Sequence, residues 1–197
     1  MTTNNQAYQS HRYLVLGGAR SGRSSFAEQQ ALCALAACSN GRLHYIATAT
    51  YLDDEMRDRI AHHKGRRREE WIEHEVPVEL AAKLQSFEQD DVVLVDCLTL
   101  WLNNVIFELG DDATNTQVGA VIESLVASVE QSPAQVIMVS NELGLGVVPL
   151  GKVSRLFVDN AGRMNQALAR VVEHVTLIAA GLQLHLKPSN HPINAQG

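Results

Sequence analysis

The chain has 197 residues, of which 46% are hydrophobic and 19% are charged, enough for one compact domain with a sizeable core. Its net charge of −6 argues against a dedicated nucleic-acid binder, because such proteins are usually basic. No apolar run approaches the roughly 20 residues that span a membrane, so we expect neither a membrane span nor a nucleic-acid partner.

The N-terminal segment and the cysteines indicate the compartment in which the protein works. Residues 1–12 are polar and lack the apolar stretch of a secretion signal. The cysteines Cys33, Cys38 and Cys97 are odd in number and form no CxxC pair, so neither a disulfide framework nor a zinc site is indicated. We expect a cytoplasmic protein with Cys33 and Cys97 in its core, one domain over residues 1–197, and flexible tails at 1–11 and 188–197.

Apolar segments alternate along the chain with longer amphipathic ones. Strands are predicted at 12–18, 43–49, 91–97, 134–140 and 175–181, with an edge strand at 182–187. Helices are predicted at 24–38, 53–64, 78–87, 98–109, 116–131 and 153–175. The repeated strand–helix order and the continuous apolar run in the third strand predict an α/β protein with a mainly parallel central sheet between two helical layers.

The stretch "GGARSGRS" at 17–24 joins the first predicted strand to the first predicted helix. Gly17, Gly22, a basic residue and Ser24 follow the spacing of a phosphate-binding loop, whose glycines allow a tight turn and whose N–H groups hold phosphate oxygens. The position between strand and helix favours a P-loop NTPase-like fold over an ordinary turn. Arg23 stands where such loops carry lysine. It keeps the positive charge as a bulkier planar fork, so the loop predicts nucleotide binding and leaves phosphoryl transfer open.

Polar residues close two later strands. Phosphate loops work with an acid on another strand that holds Mg²⁺, and Asp96 ends the strand at 91–97, with the Ser24 hydroxyl as the second predicted Mg²⁺ ligand. An aspartate in that position alternatively caps the following helix. Asn141 and Glu142 follow the next strand, where ligands bind in such sheets; substrate contact and loop capping are both open for them.

Two adjacent histidines, His62 and His63, lie on the predicted helix at 53–64 and point about 100° apart. His62 shares its side of the helix with Asp58, Arg59 and Arg66. Nearby arginines disfavour an imidazolium, so His62 is expected to be neutral and nucleophilic while the arginines hold phosphates. The alternative is a solvated helix end with two surface histidines.

Four blocks, "GGARSGRS", "YIATATYLDDEMRDRIAHHK", "VSNELGLGVVP" and "DNAGRMNQALA", closely resemble the bifunctional adenosylcobinamide kinase / adenosylcobinamide-phosphate guanylyltransferase family of cobalamin biosynthesis. The resemblance extends over residues 13–186. It implies phosphorylation of the adenosylcobinamide hydroxyl with ATP or GTP, followed by transfer of GMP from GTP to adenosylcobinamide phosphate through a guanylylated histidine. It also implies a homotrimer.

The resemblance places the guanylylated histidine on His62, the first of the pair. The nucleotide-binding loop falls on Gly17, Gly18, Ala19, Arg20, Ser21, Gly22, Arg23 and Ser24. Further nucleotide contacts fall on Ala47, Thr48, Ala49, His63, Lys64, Gly65, Arg66, Glu75 and Asp96. Two alternatives stay open: a guanylyltransferase whose kinase activity is impaired by Arg23, where the family has lysine, and a non-catalytic GTP-binding module.

Overall fold

The computed structural model describes residues 12–49, 71–146 and 149–187. The strands in these ranges are β1 (Arg12–Gly17), β2 (Leu43–Ala47), β3 (Trp71–Glu75), β4 (Val92–Asp96), β5 (Gln135–Asn141), β6 (His174–Ala179) and β7 (Leu182–Lys187). The helices are α1 (Arg23–Ala36), α2 (Leu80–Leu84), α3 (Leu98–Leu109), α4 (Asn115–Gln131) and α5 (Lys152–Val171). The strands form one sheet in the order β3-β2-β4-β5-β1-β6-β7. Strands β1 to β6 run parallel, and β7 runs antiparallel to β6.

The sheet separates two hydrophobic cores, which makes the fold three-layered. On one face, α1 packs Phe26 and Ala31 against strand residues that include Val15. On the other face, helices α2 to α5 cover the remaining strand side chains, which include Leu14 and Leu16. Successive strand residues point to opposite faces, so a strand buried on both faces is apolar throughout. The predicted α/β class with a mainly parallel sheet is confirmed.

A cluster of polar side chains connects the edge strand β3 and its neighbour β2 to the start of β4. Arg42 donates to both carboxylate oxygens of Asp91, at 2.8 and 3.1 Å. Nδ1 of His44 lies 3.0 Å from Nε2 of His74, and Nε2 of His44 lies 3.2 Å from Asp91. Burial lowers the pKa of both histidines, and for His44 it outweighs the attraction of the Asp91 carboxylate. The cluster therefore favours neutral histidines on β2 and β3.

The largest differences from the sequence-based prediction are one additional strand and the bounds of two helices. Strand β3 was not predicted, because its alternating charged residues resemble a loop. Its pairing with β2 holds these residues in a strand. The helix predicted at 78–87 is shorter, and the helix predicted at 153–175 ends at Val171. Beyond Val171 the chain joins β1: Glu173 N–H donates to Arg12 O at 3.1 Å, and its carboxylate pairs with the Arg12 guanidinium at 3.0 Å. The predicted helix at 53–64 and both predicted tails lie outside the described residues.

Of the two cysteines predicted in the core, one prediction is confirmed and one is wrong. Cys97 is buried, whereas Cys33 is exposed. Helix α1 turns Phe26, Ala27 and Ala31 towards the sheet, and a residue two positions after Ala31 lies on the solvent side of the helix. Within the described ranges, every helix is too short or too polar to cross a bilayer.

Candidate active site

The loop between β1 and α1 has the backbone of a tight turn. Ser21 N–H donates to Gly18 O at 3.3 Å, and two loop residues adopt positive φ, Arg20 at 56° and Gly22 at 97°. Glycine reaches this conformation without the steric cost that a Cβ brings. The positive φ at position 22 therefore explains why the loop has glycine there.

At position 17, steric crowding explains why the residue is glycine. A Cβ at this position would lie 2.5 Å from Ser21 Oγ and 2.7 Å from the carbonyl oxygen of Ile178. The loop thus folds back over the end of β1, close against β6. At Gly18, by contrast, an added Cβ meets no atom within 4 Å, so the space beside Gly18 is open.

Two backbone hydrogen bonds hold the loop from either side. Glu142 N–H, just after β5, donates to Gly17 O at 3.2 Å, and Gly181 N–H, in the turn between β6 and β7, donates to Ser21 O at 2.9 Å. Both partners are more than 100 residues away along the chain. The loop is therefore preorganised by strand ends whose contribution no local sequence pattern indicates.

Helix α1 begins with donors that its own backbone does not satisfy. The N-cap of the helix is Gly22, which has no side chain to accept a hydrogen bond. The first i→i−4 hydrogen bond of the helix runs from Phe26 N–H to Gly22 O at 3.1 Å. The N–H groups of Arg23, Ser24 and Ser25 have no intrahelical acceptor. With the helix dipole they favour an anion at this point.

The Arg23 side chain folds back over the loop. Its Nη1 donates to Gly18 O, while its Nε is buried and finds no acceptor among the residues that the structure describes. The positive charge of Arg23 influences Cys97, which follows β4. Burial is the main cause that raises the pKa of Cys97, and the charge of Asp96 raises it further. The charge of Arg23 lowers this pKa and so opposes the rise. Arg23 and Asp96 therefore act on the same region of the molecule.

The register of the sheet lines up polar residues on the face that α1 covers. Ala47 is paired with both Glu75 and Asp96, and Asn141 with Gly17. Each of these residues lies on the same side of its strand as residues in the α1 core. Tyr45 OH donates to an Asp96 oxygen at 3.3 Å. The loop, Asp96 and Glu75 thus lie along one edge of the sheet, with Asn141 between the loop and Asp96.

Thr48 follows β2 and is fully buried. Its hydroxyl donates to Cys97 O at 2.7 Å and accepts from Cys97 N–H at 2.9 Å, and its carbonyl accepts from Asn104 at 2.8 Å. Thr48 therefore joins the end of β2 to the start of α3. Its predicted contact with the nucleotide stays a prediction, as does that of Ala49.

The structure brings together the predicted loop residues, Ala47, Glu75 and Asp96. The remaining predicted residues lie outside the described ranges: His62, His63, Lys64, Gly65 and Arg66. From its position at the end of an apolar strand, sequence reasoning left two roles open for Asn141, substrate contact and loop capping. Its Oδ1 is buried and accepts no hydrogen bond within the described part of the chain.

A glycine loop after β1, a helix that begins at the loop and an acid two strands away define a P-loop α/β protein. Residues 13–186 match the family described as "Cobinamide kinase / cobinamide phosphate guanyltransferase". The chain belongs to this family. It is accordingly an enzyme of cobalamin biosynthesis, with cobinamide kinase and cobinamide phosphate guanylyltransferase activities.

Curated relatives are similar over nearly their whole length. The chain is 48% identical over 177 residues to the bifunctional adenosylcobalamin biosynthesis protein CobP of Pseudomonas aeruginosa, covering 89% of this chain and 97% of that protein. It is 39% identical over 184 residues to CobU of Escherichia coli K12, covering 88% and 98% respectively. Among solved structures, the P4 protein of bacteriophage phi6 in complex with ADP has a TM-score of 0.43 at 14% identity, over 92% of this chain and 55% of that one.

Proposed function

We propose that this chain phosphorylates the hydroxyl of adenosylcobinamide with ATP or GTP, and then transfers GMP from GTP to adenosylcobinamide phosphate through His62. The observation that carries the proposal is the sheet edge on which the phosphate loop, Arg23 and Asp96 lie together. Relatives covered over almost their full length are named bifunctional adenosylcobalamin biosynthesis proteins, which supports two reactions on one chain.

In the kinase step, the loop holds the nucleotide phosphates. The free N–H groups at the start of α1 and the Arg23 guanidinium supply donors and positive charge. Ser24 and Asp96 offer hard oxygen donors of the kind that suits Mg²⁺, so the residues present fit this ion. When bound, Mg²⁺ would neutralise charge that develops on the phosphates. The open space beside Gly18 allows the phosphates to approach the backbone closely.

In the guanylyl transfer, a ring nitrogen of neutral His62 attacks the α-phosphorus of GTP. A phosphorus–nitrogen bond forms, the bond from the α-phosphorus to the α–β bridging oxygen breaks, and pyrophosphate leaves with the electron pair. A phosphate oxygen of adenosylcobinamide phosphate then attacks the same phosphorus and releases the histidine. Splitting the transfer in two avoids direct attack of one phosphate anion on the triphosphate of GTP.

Labelling with GTP that carries radioactive α-phosphate tests the histidine. We expect the wild-type chain to acquire acid-labile label and the His62→Ala variant to acquire none. The matched control is His185→Ala, which removes an exposed histidine on β7 whose ring contacts Thr176; it should label like the wild type. A His62→Ala chain that labels normally would overturn the covalent mechanism, and an unlabelled wild type that binds GTP would favour the non-catalytic module.

Arg23 supports one further candidate, a guanylyltransferase that lacks kinase activity. Its guanidinium already donates to Gly18 O, and a planar fork does not place charge as a lysine ammonium does. Supplying adenosylcobinamide and adenosylcobinamide phosphate in separate reactions distinguishes the two functions. The bifunctional enzyme turns over both compounds, whereas the alternative turns over the phosphate alone.

We also propose the homotrimer that the family resemblance implies. Strand β7 supports a subunit contact, because Leu182, Leu184 and Leu186 alternate along this edge strand and are exposed by 74%, 57% and 43%. Exposed apolar rows of this kind are typical of interfaces. Light scattering should give three times the chain mass for the wild type and a smaller mass for Leu184→Glu; an unchanged mass for the variant would remove β7 from the interface.

A further inference from the structure

Asn141 is the last residue of β5, and its register partner is Gly17, where the phosphate loop begins. Its side chain lies on the α1 face, because Ile137 and Val139 on the same side of β5 belong to the α1 core. Strand β5 lies between β1 and β4, so Asn141 lies between the loop and the strand that ends in Asp96. An amide in this place adjoins the nucleotide site of the proposed function.

The backbone of Asn141 is fixed from two sides. Its backbone carbonyl accepts from Asn165 Nδ2 at 3.2 Å, and Asn165 Oδ1 accepts from Ser140 Oγ at 2.7 Å. Both Asn165 and Ser140 are buried. The next residue, Glu142, donates its N–H to Gly17 O at 3.2 Å. A residue held in this way on a buried scaffold has the rigidity that a positioning group requires.

The side-chain oxygen of Asn141, in contrast, has no hydrogen-bond partner among the described residues. This Oδ1 atom is buried, whereas most buried polar atoms have a partner. An amide oxygen only accepts hydrogen bonds, so its missing partner must carry a proton. Ionised phosphate oxygens carry none, and the triphosphate chain of a nucleotide therefore leaves the oxygen unsatisfied. A hydroxyl group supplies the donor.

We propose that Asn141 is a positioning residue of the kinase step, whose Oδ1 accepts a hydrogen bond from the hydroxyl group that is to be phosphorylated. This inference rests on the proposed kinase function and adds the group that orients the acceptor substrate. The hydroxyl oxygen forms a bond to the γ-phosphorus, the bond from that phosphorus to the β–γ bridging oxygen breaks, and the nucleoside diphosphate leaves with the electron pair. The hydroxyl proton passes to an oxygen of the transferred phosphoryl group, since an amide is no base at neutral pH.

The test compares the two half-reactions, because only the kinase step has a hydroxyl as nucleophile. For Asn141→Ala we expect the kinase kcat with adenosylcobinamide to fall about 10- to 100-fold, the scale of a misplaced reactant. The KM for the nucleotide should stay within about 3-fold, and GMP transfer to adenosylcobinamide phosphate should be within about 3-fold of wild type, since neither uses the hydrogen bond. Asn141→Ser, which returns an acceptor oxygen on a shorter side chain, should recover part of the lost kcat.

The matched control is Gln135→Ala, which removes a buried amide from the opposite end of the same strand, where it donates to Cys38 at 3.1 Å. It should change both activities by the same factor. An equal fall in both activities of Asn141→Ala, or a rise in the nucleotide KM at unchanged kcat, would overturn this inference and leave the proposed function standing. A wild-type chain without kinase activity would overturn the kinase half of the proposed function, and the role of Asn141 with it.

Discussion

Replacing Gly17 with alanine tests whether packing against β6 shapes the phosphate loop. The added Cβ would lie 2.7 Å from the Ile178 carbonyl oxygen, whereas ordinary contact begins at 3.4 Å, a shortfall of about 0.7 Å. Ser21 Oγ at 2.5 Å can move, because a hydroxyl group rotates. The Ile178 carbonyl belongs to the ladder between β1 and β6 and moves only with the backbone.

The cost follows from that displacement. Overpacking of a well-packed site costs about 1–3 kcal/mol of unfolding free energy. For a chain of this length each kcal/mol corresponds to about 2–4 °C, so Gly17→Ala should lower Tm by about 2–12 °C. The matched control is Gly18→Ala, where an added Cβ meets no atom within 4 Å; its unfolding free energy should change by at most about 1 kcal/mol.

Differential scanning calorimetry measures both variants, with and without GTP. Ligand binding raises Tm only where the site is intact, so the rise with GTP should persist in the wild type and shrink in Gly17→Ala. A Gly17→Ala chain with wild-type Tm and a wild-type response to GTP would show that the contact with Ile178 O is relieved without cost. The steric explanation of this glycine would then be wrong.

Three further predictions concern charge and exposure. Arg23→Ala should weaken nucleoside triphosphate binding at least about 10-fold in titration calorimetry, which is the scale of a lost charged hydrogen bond. Arg23→Lys keeps the charge, so its affinity should stay within about 3-fold of the wild type. Equal affinities of Arg23→Ala and the wild type would exclude Arg23 from phosphate binding. Burial lowers the pKa of His44 and His74, so the unfolded chain binds more protons below about pH 6.5. Stability in urea should therefore fall from pH 7 to pH 5, and less steeply in a variant with both His44→Gln and His74→Gln; parallel profiles would contradict this cause. Cys33 is exposed and Cys97 is buried with a raised pKa, so a thiol reagent should label Cys33 in the native protein and Cys97 only after unfolding, which peptide mapping would verify.

The parts of the fold that sequence predicts are those with local causes. Continuous apolar strands such as β4 and β5 are recognisable because both faces are buried. The loop is recognisable because the spacing of Gly17, Gly22 and Ser24 matches that of a phosphate-binding loop. Strand β3 was not predicted because pairing with the distant strand β2 holds it in place. The exposure of Cys33 was not predicted because it depends on which side of helix α1 faces the sheet.

The features of the candidate site also separate into those with a local sequence signal and those that depend on distant contacts. The spacing of the loop residues and the position of Asp96 at a strand end indicate a nucleotide site from the sequence alone. The sequence does not indicate that β5 lies between their two strands, because strand order depends on contacts between distant segments. The burial of the Asn141 oxygen, which has no partner in the described ranges, depends on that order, and so does the hydrogen bond from Gly181 to Ser21.

The turn between β6 and β7 has a practical consequence for protein engineering. Hairpin turns at a sheet edge are favoured places to insert a tag or to open new termini by circular permutation, because they usually tolerate change. In this turn, Gly181 N–H donates to Ser21 O at 2.9 Å, so lengthening or cutting the turn removes a support from the loop between β1 and α1. The exposed connection between α3 and α4 at Asp111 and Asp112 is the better place for such a modification.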